Sequence, residues 1–219
     1  MKTPVVIIDN FLADPDRFRK FGLEQTYYED DEYRWPGERT SCLTTVNPYI
    51  HELVCRKVLT VLYDNEAKHC QFDIQTCFNR STGGHKKGWV HSDFPMVFTF
   101  IIYLSPNAKL EEGTSIFRPK QPLAVSEMEA FSDLKKQVYK EGNKELEDKY
   151  RLEVAEKFEE TIRVNNIYNR LLIFDSNLYH SANDYISPDD DPRLAFMGFA
   201  KGVRSTHDRI NLANINFYI

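Results

Sequence analysis

The sequence predicts a mainly β fold with flanking helices, in one domain that spans residues 1–219. All-β barrels and sandwiches commonly reach this length as single domains. Helix-like periodicity is confined to the first 63 residues and to a charged segment at 122–163. Apolar runs typical of strands occupy most of the remainder, at 70–78, 97–104, 170–174 and 193–200.

Composition and charge narrow the classes of protein to which the chain can belong. The formal net charge of −5 leaves no basic surface for duplex nucleic acid. Four cysteines without a CxxC pair are expected to be reduced core thiols in a cytosolic protein. The first apolar segment is too short for a signal peptide, and no run approaches the length of a membrane span. We therefore expect a cytoplasmic protein that binds neither nucleic acid nor membrane, with its oligomeric state open.

Helical segments are expected to support the strands at the N-terminal end. After a short strand at residues 4–8, Asp14 followed by proline marks a helix start, because Asp can cap a helix and Pro is tolerated at its first position. That helix is expected to end near Gln25, and a second helix is expected over 48–63. Residues 1–68 are thus assigned to an N-terminal strand and supporting helices.

A charged segment interrupts the later strands. Residues 69–121 and 164–219 carry the strand pattern, whereas 122–163 predicts a hairpin of two helices. A capping box formed by Ser126 and Glu129 indicates the start of the first helix. The second is expected to bury one stripe at a spacing of four residues: Leu146, Tyr150, Val154, Phe158 and Ile162. We expect this hairpin to pack outside the strands and to supply no metal ligand.

Two polar residues precede the most apolar strand. His91 and Asp93 lie just before 97–104, and residues i and i+2 of a strand point to the same face. An imidazole and a carboxylate are two of the three ligands of a 2-His-1-carboxylate triad, which leaves positions open on non-heme iron. A lone histidine near an apolar strand is more often structural. His180 is nevertheless the natural third ligand, because it ends another apolar segment and the remaining histidines are worse placed.

Arg193 begins the last long apolar strand. Its charge must reach a polar environment or an anion, and a guanidinium is well shaped to bind a carboxylate through two hydrogen bonds. A salt bridge at the rim with Asp189, Asp190 or Asp191 explains the same residue equally well. From the residues alone, both interpretations stay open.

The order of these elements resembles that of the Fe(II)- and 2-oxoglutarate-dependent dioxygenases, most of all their prolyl 4-hydroxylase-like branch. The opening VVIIDNFLADPDRF is similar to the strand and helix that precede the barrel in that branch, so the resemblance covers essentially the whole chain. A His-x-Asp pair alone is a weak motif, whereas the ordered set is more specific. That set comprises His91-x-Asp93, Tyr103 in IIYLSP, Gly113-Thr114, RLLIFDS, His180 and Arg193.

The resemblance implies a double-stranded β-helix, which is a jelly-roll or cupin-like barrel, with N-terminal helices and the inserted helical hairpin. It implies Fe(II) held by His91, Asp93 and His180, and 2-oxoglutarate whose far carboxylate is held by Arg193 and Tyr103. With O2 as the third reactant, 2-oxoglutarate would yield succinate while the substrate is hydroxylated. By analogy with the branch, the substrate is a protein side chain such as a prolyl residue, or a small amino-acid-type metabolite.

The chain departs from the family pattern in three places. The gap from Asp93 to His180 is longer than usual in the family, and the 122–163 hairpin accounts for it. Phe78 occupies a position where several relatives carry a tyrosine that faces the site. Arg193 lies somewhat farther beyond the distal histidine than is common, which makes Arg204 the alternative anchor.

Two other readings compete with the dioxygenase. A cupin-like metal enzyme that does not use 2-oxoglutarate would leave Arg193 and Tyr103 unexplained. A non-catalytic jelly-roll binding module would not need an intact ligand set. Retention of Asp93 also argues against a halogenase, in which the resemblance implies a small residue at that position. The basic loop at 79–87 could border the entrance and meet an acidic substrate, but an ordinary solvated loop is favoured.

Overall fold

The structure is a computed structural model that describes residues 5–29, 35, 37–81, 88–141, 144–183 and 191–206. Its helices are α1 (Pro15–Leu23), α2 (Leu43–Val46), α3 (Pro48–Tyr63), α4 (Val125–Glu141) and α5 (Lys144–Glu156). Its strands are β1 (Val5–Ile8), β2 (Tyr27–Glu29), β3 (Glu38–Thr40), β4 (Gln71–Ser81), β5 (Phe98–Tyr103), β6 (Thr114–Pro119), β7 (Phe158–Val164), β8 (Leu171–Asp175), β9 (Tyr179–Ala182) and β10 (Arg193–Arg204).

The strands form two antiparallel sheets that pack face to face. The larger sheet has the order β1-β8-β5-β10-β4-β3-β2, and the smaller has the order β7-β6-β9. Side chains from both sheets meet in one buried cluster: Ile101, Tyr103, Ile116, Val164, Leu172, Phe174 and Ala195. This arrangement confirms the expected double-stranded β-helix.

The two faces of the larger sheet bury different side chains, because successive strand residues point in opposite directions. Along β5, Ile101 and Tyr103 point between the sheets, whereas Phe98 and Phe100 join a second cluster with residues of α3 such as Leu59. This second cluster lies on the outer face of the sheet, beneath α1 and α3. The helices therefore cover the outer face, and the inner face is left for a site between the sheets.

The N-terminal region builds part of the larger sheet. α1 begins as predicted, with the Asp14 carboxylate accepting from the Arg17 N–H, and it ends at Leu23 rather than near Gln25. α3 has its predicted bounds, because Asn47 caps it and proline occupies the first turn. β1 pairs with β8, whereas β3 pairs with β4 and holds β2 at the edge. The N-terminal region, expected to give one strand, supplies three of the seven in this sheet.

The second predicted helix of the insertion ends earlier than its apolar stripe indicated. α5 ends at Glu156, and Phe158 and Ile162 lie in β7, which pairs with β6. A spacing of four fits both a helix of 3.6 residues per turn and a strand with a repeat of two. The β-branched residues of the TIRV sequence that ends β7 favour the strand. The prediction that 122–163 is helical throughout was therefore wrong beyond residue 156.

The remainder of the insertion is the helical hairpin of α4 and α5. Val154 is buried against Trp89, in a cluster that also draws side chains from β6, β7 and β9. The capping glutamate of α4 is Glu127 rather than the predicted Glu129, because the Glu127 carboxylate accepts from the Ala124 N–H at 3.0 Å. The hairpin thus packs on the outside of the smaller sheet, as expected.

Other expectations concern thiols, membranes and the chain end. All four cysteines are free thiols, of which two are buried and two partly buried. Within the described ranges, no helix is long and apolar enough to cross a membrane. The sequence predicts a short strand at the C-terminal NFYI, but this segment and the basic part of the 79–87 loop lie outside the described residues.

Candidate active site

Three side chains that could hold a metal ion converge between the sheets. His91, Asp93 and His180 each offer one ligand atom, and these atoms lie within 4.8 Å of one another. Asp93 Oδ1 is 3.6 Å from His91 Nε2, and Asp93 Oδ2 is 3.4 Å from His180 Nε2. In the part of the chain that the structure describes, no other group of three His, Cys, Asp or Glu side chains converges in this way. The structure therefore brings together the three residues that the sequence indicated for the metal.

Main-chain hydrogen bonds place the ligands. The His91 N–H donates to the His180 carbonyl at 3.0 Å, and the His180 N–H donates back to the His91 carbonyl at 2.8 Å. His91 sits in this isolated bridge rather than on a continuous strand, since β5 begins only at Phe98. The Asp93 N–H donates to the Ser176 carbonyl at 2.9 Å. The shared face of His91 and Asp93 thus arises from loop contacts, not from strand alternation.

Each histidine presents the same nitrogen to the site. His91 Nδ1 lies 2.8 Å from the Trp89 carbonyl oxygen, and His180 Nδ1 lies 3.0 Å from the Leu178 carbonyl oxygen. A carbonyl oxygen only accepts, so both Nδ1 atoms carry the hydrogen and donate it. The lone pair of each neutral ring is therefore on Nε2, which is the atom that faces Asp93. A hydrogen bond of this kind fixes the tautomer and the orientation of a metal-binding histidine.

Asp93 is held by hydroxyl groups on the opposite side. The Thr99 hydroxyl donates to Asp93 Oδ2 at 2.6 Å, and the Ser176 hydroxyl lies 3.0 Å from that of Thr99. Burial by itself raises the pKa of Asp93, but the neighbouring His180 and His91 rings and the Thr99 hydrogen bond outweigh burial and lower that pKa. Asp93 is therefore an ionised, oriented carboxylate.

The donor set fits a divalent iron ion. Desolvation, followed by the nearby Lys135 and His180 side chains, lowers the pKa of His91, which keeps the imidazole neutral and able to ligate. Two imidazoles and one carboxylate suit Fe(II) with positions open for reactants, whereas a structural zinc site would be closed by four ligands. The residues present therefore fit the metal that the family resemblance implies.

A cavity of about 260 Å³ opens onto the three ligands. Its walls come mainly from β10 and β9, with one lining residue from each of β3, β4, β5, β6 and α4. The lining side chains besides the three ligands are Trp35, Arg39, Asn79, Trp89, Ile101, Thr114, Lys135, Ala182, Arg193, Ala195, Met197 and Phe199. Arg193 is thus on the cavity wall, as expected, whereas Tyr103 lies just behind it.

Arg193 and Tyr103 belong to one buried polar group. Arg193 is 6% exposed, and its Nη2 donates to the Glu112 carbonyl at 3.3 Å. The Tyr103 hydroxyl donates to the Thr114 hydroxyl at 2.7 Å, and Thr114 lines the cavity. Burial raises the pKa of Tyr103 to about 12, so its hydroxyl stays protonated and able to donate. The alternative rim salt bridge loses one partner, because Asp191 pairs with Arg19.

Two of the residues discussed from the sequence are not at the site. Phe78 is fully buried on the outer face of the larger sheet and packs against Phe18 and Phe196. Its neighbour Asn79 is the residue of β4 that faces the cavity, so the expectation that this position faces the site was one residue out of register. Arg204 is exposed at the far end of β10, which excludes it as the alternative anchor.

Sequence reasoning missed three polar residues of the cavity: Arg39 in β3, Asn79 in β4 and Lys135 in α4. The alternation in β4 could have revealed Asn79. Arg39 lies in a strand of three residues, which is too short for a periodic signal. Lys135 belongs to the hairpin that was expected only to pack outside, and it reaches the cavity without being a metal ligand.

Solved structures with the same architecture support this description of the fold. HygX from Streptomyces hygroscopicus, solved with nickel and 2-oxoglutarate, has a TM-score of 0.54 and 12% identity, with 91% of this chain and 83% of HygX covered. SnoN, a non-heme α-ketoglutarate-dependent epimerase from nogalamycin biosynthesis, has a TM-score of 0.52 and 13% identity, with coverage of 91% and 78%. A prolyl 4-hydroxylase from Phytophthora capsici has a TM-score of 0.50 and 15% identity, with coverage of 92% and 59%. At such low identity, these likenesses show the fold alone.

Sequence comparison identifies the family. No curated protein shows significant sequence similarity to the chain. Residues 1–193 match a family of unknown function, DUF6445. The chain therefore belongs to the DUF6445 family, and it has the double-stranded β-helix fold of the Fe(II)- and 2-oxoglutarate-dependent oxygenases.

Proposed function

We propose that this protein is an Fe(II)- and 2-oxoglutarate-dependent dioxygenase that hydroxylates a C–H bond of its substrate. The observation that carries the proposal is the presence, in one cavity, of a His-Asp-His ligand set and a buried arginine. A metal site alone suits many jelly-roll enzymes. A buried cation on the same cavity wall suits a cosubstrate that ends in a carboxylate.

On the metal side, His91, Asp93 and His180 would hold Fe(II) through two Nε2 atoms and one carboxylate oxygen. When bound, iron and 2-oxoglutarate together supply O2 activation, with decarboxylation of 2-oxoglutarate to succinate and transfer of an oxygen atom to substrate. The Nδ1–H groups of the two histidines keep their rings in place by donating to main-chain carbonyls. Thr99 keeps the carboxylate oriented.

On the cosubstrate side, Arg193 would pair with the far carboxylate of 2-oxoglutarate. Thr114 and, behind it, Tyr103 would supply hydroxyl groups to the same end of the molecule. A buried carboxylate needs such a partner, because removing one member of a buried ion pair costs on the order of 3–5 kcal/mol. A cupin-like enzyme that does not use 2-oxoglutarate would have no need for this buried cation.

The size of the cavity bears on the substrate. Its volume of about 260 Å³ is below the roughly 300–1,000 Å³ of pockets for drug-sized ligands. After 2-oxoglutarate occupies part of that space, the remainder suits a small metabolite or one side chain of a protein. Ile101, Ala195, Met197 and Phe199 give apolar walls that keep water from the reacting atoms. We therefore place the substrate among small amino-acid-type metabolites and single protein side chains.

The test is an anaerobic titration of the Fe(II)-loaded protein with 2-oxoglutarate, followed by the metal-to-ligand absorption of the chelate. We expect saturable binding, and slow formation of succinate when air is admitted. Fe(II) binding without any 2-oxoglutarate complex would favour the cupin-like alternative. Absence of both Fe(II) and 2-oxoglutarate binding would favour a non-catalytic module.

A further inference from the structure

A second arginine lies on the cavity wall at a distance from the cosubstrate anchor. Arg39 comes from β3, opposite Asn79 of β4, and its guanidinium carbon lies 3.9 Å from the centre of the Trp35 ring. On β10, the Phe199 ring is 5.5 Å from the same carbon. The Arg39 side chain therefore crosses β4 along the inner face of the sheet. Stacking of this kind fixes the plane of a guanidinium and directs its N–H groups sideways.

The Arg39 guanidinium lacks a counter-ion within the described ranges. Its Nε is buried and has no hydrogen-bond partner there, and no described carboxylate forms an ion pair with it. A buried N–H group without a partner costs on the order of 1–3 kcal/mol, and more when it is charged. Among the described residues on the cavity wall, Asp93 is the only acid, and it belongs to the metal. An acceptor that enters the cavity would therefore satisfy this guanidinium.

The position of Arg39 separates it from the cosubstrate anchor. Arg39 is level with Ala195 of β10, since both pair with Asn79, and its guanidinium lies beside Phe199, which is six residues along β10 from Arg193. The charge of Arg39 acts on Asp93, whereas that of Arg193 acts on Tyr103. One 2-oxoglutarate molecule with its far carboxylate at Arg193 and its other end at the metal leaves Arg39 for a different ligand.

The charges of the loaded site also point to an anionic ligand. The Fe(II) charge and the two carboxylates of 2-oxoglutarate cancel, and Arg193 offsets Asp93. Among the described residues of the wall, Arg39 then remains as an uncompensated positive charge, even when Lys135 is left out of the count. In a cavity with partly apolar walls, a positive charge favours ligands of opposite sign and disfavours cationic ones.

We propose that the substrate carries an oxyanion, a carboxylate or a phosphate group, which Arg39 binds beside the metal ligands. The inference rests on the proposed function and narrows its substrate class. Trp35 and Phe199 would hold the guanidinium in a fixed plane, so that both prongs meet one oxyanion. Lys135, on the cavity wall contributed by α4, adds positive potential near His91.

The experiment uses the protein loaded with Mn(II) and saturated with 2-oxoglutarate, and its probes are acetate, inorganic phosphate and neutral acetamide. Paramagnetic relaxation of the probe's protons or phosphorus nucleus reports binding near the metal. In the wild type we expect an oxyanion to bind and acetamide not to bind. In Arg39→Gln the apparent affinity for that oxyanion should fall about tenfold or more, because a hydrogen bond to a charged group is lost. The affinity for 2-oxoglutarate should stay within about twofold.

Matched variants control for charge and folding. Arg118→Gln removes the same charge from an exposed arginine of β6 that pairs with Glu159, and it should leave probe binding unchanged. Arg39→Lys keeps the charge without the two-pronged geometry, so its affinity should lie between those of the wild type and Arg39→Gln. A 2-oxoglutarate titration of each variant reports whether the cavity is intact.

The possible results separate the inference from the proposed function. A stronger response to acetate assigns a carboxylate substrate, and a stronger response to phosphate assigns a phosphorylated one. Equal oxyanion binding in the wild type and Arg39→Gln, with 2-oxoglutarate bound in both, overturns the inference alone. So does equal binding of acetate and acetamide by the wild type. If the wild type binds no 2-oxoglutarate, the proposed function and the inference fall together.

Discussion

Arg193 and Arg39 are the two arginines of one cavity, and their surroundings differ. Arg193 is held by polar groups of the protein, with the Glu112 carbonyl as an acceptor and the Tyr103–Thr114 hydroxyl pair nearby. Arg39 is held by aromatic rings instead, with its guanidinium carbon 3.9 Å from the centre of the Trp35 ring and 5.5 Å from that of Phe199. The first environment suits a permanent cosubstrate site, and the second suits an exchangeable ligand.

The difference shows how one type of side chain can be given two tasks. A guanidinium surrounded by hydrogen-bonding groups is fixed in position and direction, so it can receive the same carboxylate in every cycle. A guanidinium stacked on rings is fixed in plane but keeps donors for an incoming acceptor. Both arginines line the cavity that holds the metal ligands, which would bring the cosubstrate and the substrate to the same ion.

The largest effect should come from removing one ligand of the metal, which the cosubstrate and the substrate would share. In His180→Ala one of three ligands is lost, so Fe(II) affinity should fall by more than the roughly 10–100-fold that follows loss of an outer hydrogen-bond partner. Anaerobic calorimetry with Fe(II) measures this affinity. His69→Ala, at an exposed position beside β4, is the matched control and should bind metal as the wild type does. Wild-type metal affinity in His180→Ala would exclude His180 as a ligand.

The next largest effect should be a loss of 2-oxoglutarate binding, with metal binding unchanged. Arg193→Ala should weaken 2-oxoglutarate binding at least 100-fold, since an unpaired buried carboxylate costs on the order of 3–5 kcal/mol. Fe(II) affinity should be nearly unchanged, and Arg193→Lys should be partly tolerated because its charge survives. The anaerobic absorption titration gives both constants. If Arg193→Ala keeps the wild-type 2-oxoglutarate affinity, the roles given to Arg193 and Arg39 are wrong.

A smaller effect should come from removing the Thr99 hydroxyl, which orients the Asp93 carboxylate. Thr99→Val keeps the shape of the side chain but removes the hydroxyl that donates to Asp93 Oδ2. Metal affinity should fall about 10–100-fold, as is usual when an outer partner of a ligand is lost. Fe(II) calorimetry measures the change, and Thr60→Val on the exposed face of α3 is the control. An unchanged affinity would mean that Asp93 is oriented by its main-chain contacts alone.

The smallest effect should come from removing the Tyr103 hydroxyl, which supports the Arg193 side of the cavity. Tyr103→Phe removes a hydrogen bond between two neutral hydroxyl groups, which contributes about 0.5–1.5 kcal/mol. The affinity for 2-oxoglutarate should therefore fall by only about two- to tenfold. A titration that instead gives a loss of about 100-fold would indicate a direct bond from Tyr103 to the cosubstrate carboxylate.

The sequence predicted the architecture and the metal ligands because both leave local signals. Long strands such as β5 and β10 carry apolar runs, and α3 carries a capping residue and a proline at its start. The His-x-Asp pair and His180 were found for the same reason, although the structure orients His91 through a bridge rather than a strand. Local periodicity is thus enough where an element is long and regular.

The errors have physical causes. The stripe at Phe158 and Ile162 fits the periods of helix and strand equally, and only pairing with β6 decides between them. Phe78 and Asn79 differ by one residue, so a single step in register exchanges the core face for the cavity face. Arg39 reaches the site through β3, whose three residues pair with β4 far along the chain. Such non-local pairings leave no trace in a local pattern.

The central claim is that Arg193 binds 2-oxoglutarate and Arg39 binds the substrate. The most direct test is a crystal structure with Ni(II) in place of Fe(II) and 2-oxoglutarate bound. We predict one ion about 2.0–2.2 Å from donor atoms of His91, Asp93 and His180. The far carboxylate of 2-oxoglutarate should lie on Arg193 and Thr114, while Arg39 faces a part of the cavity that 2-oxoglutarate leaves vacant. A 2-oxoglutarate carboxylate seated on Arg39, or an ion bound without His180, would contradict the account.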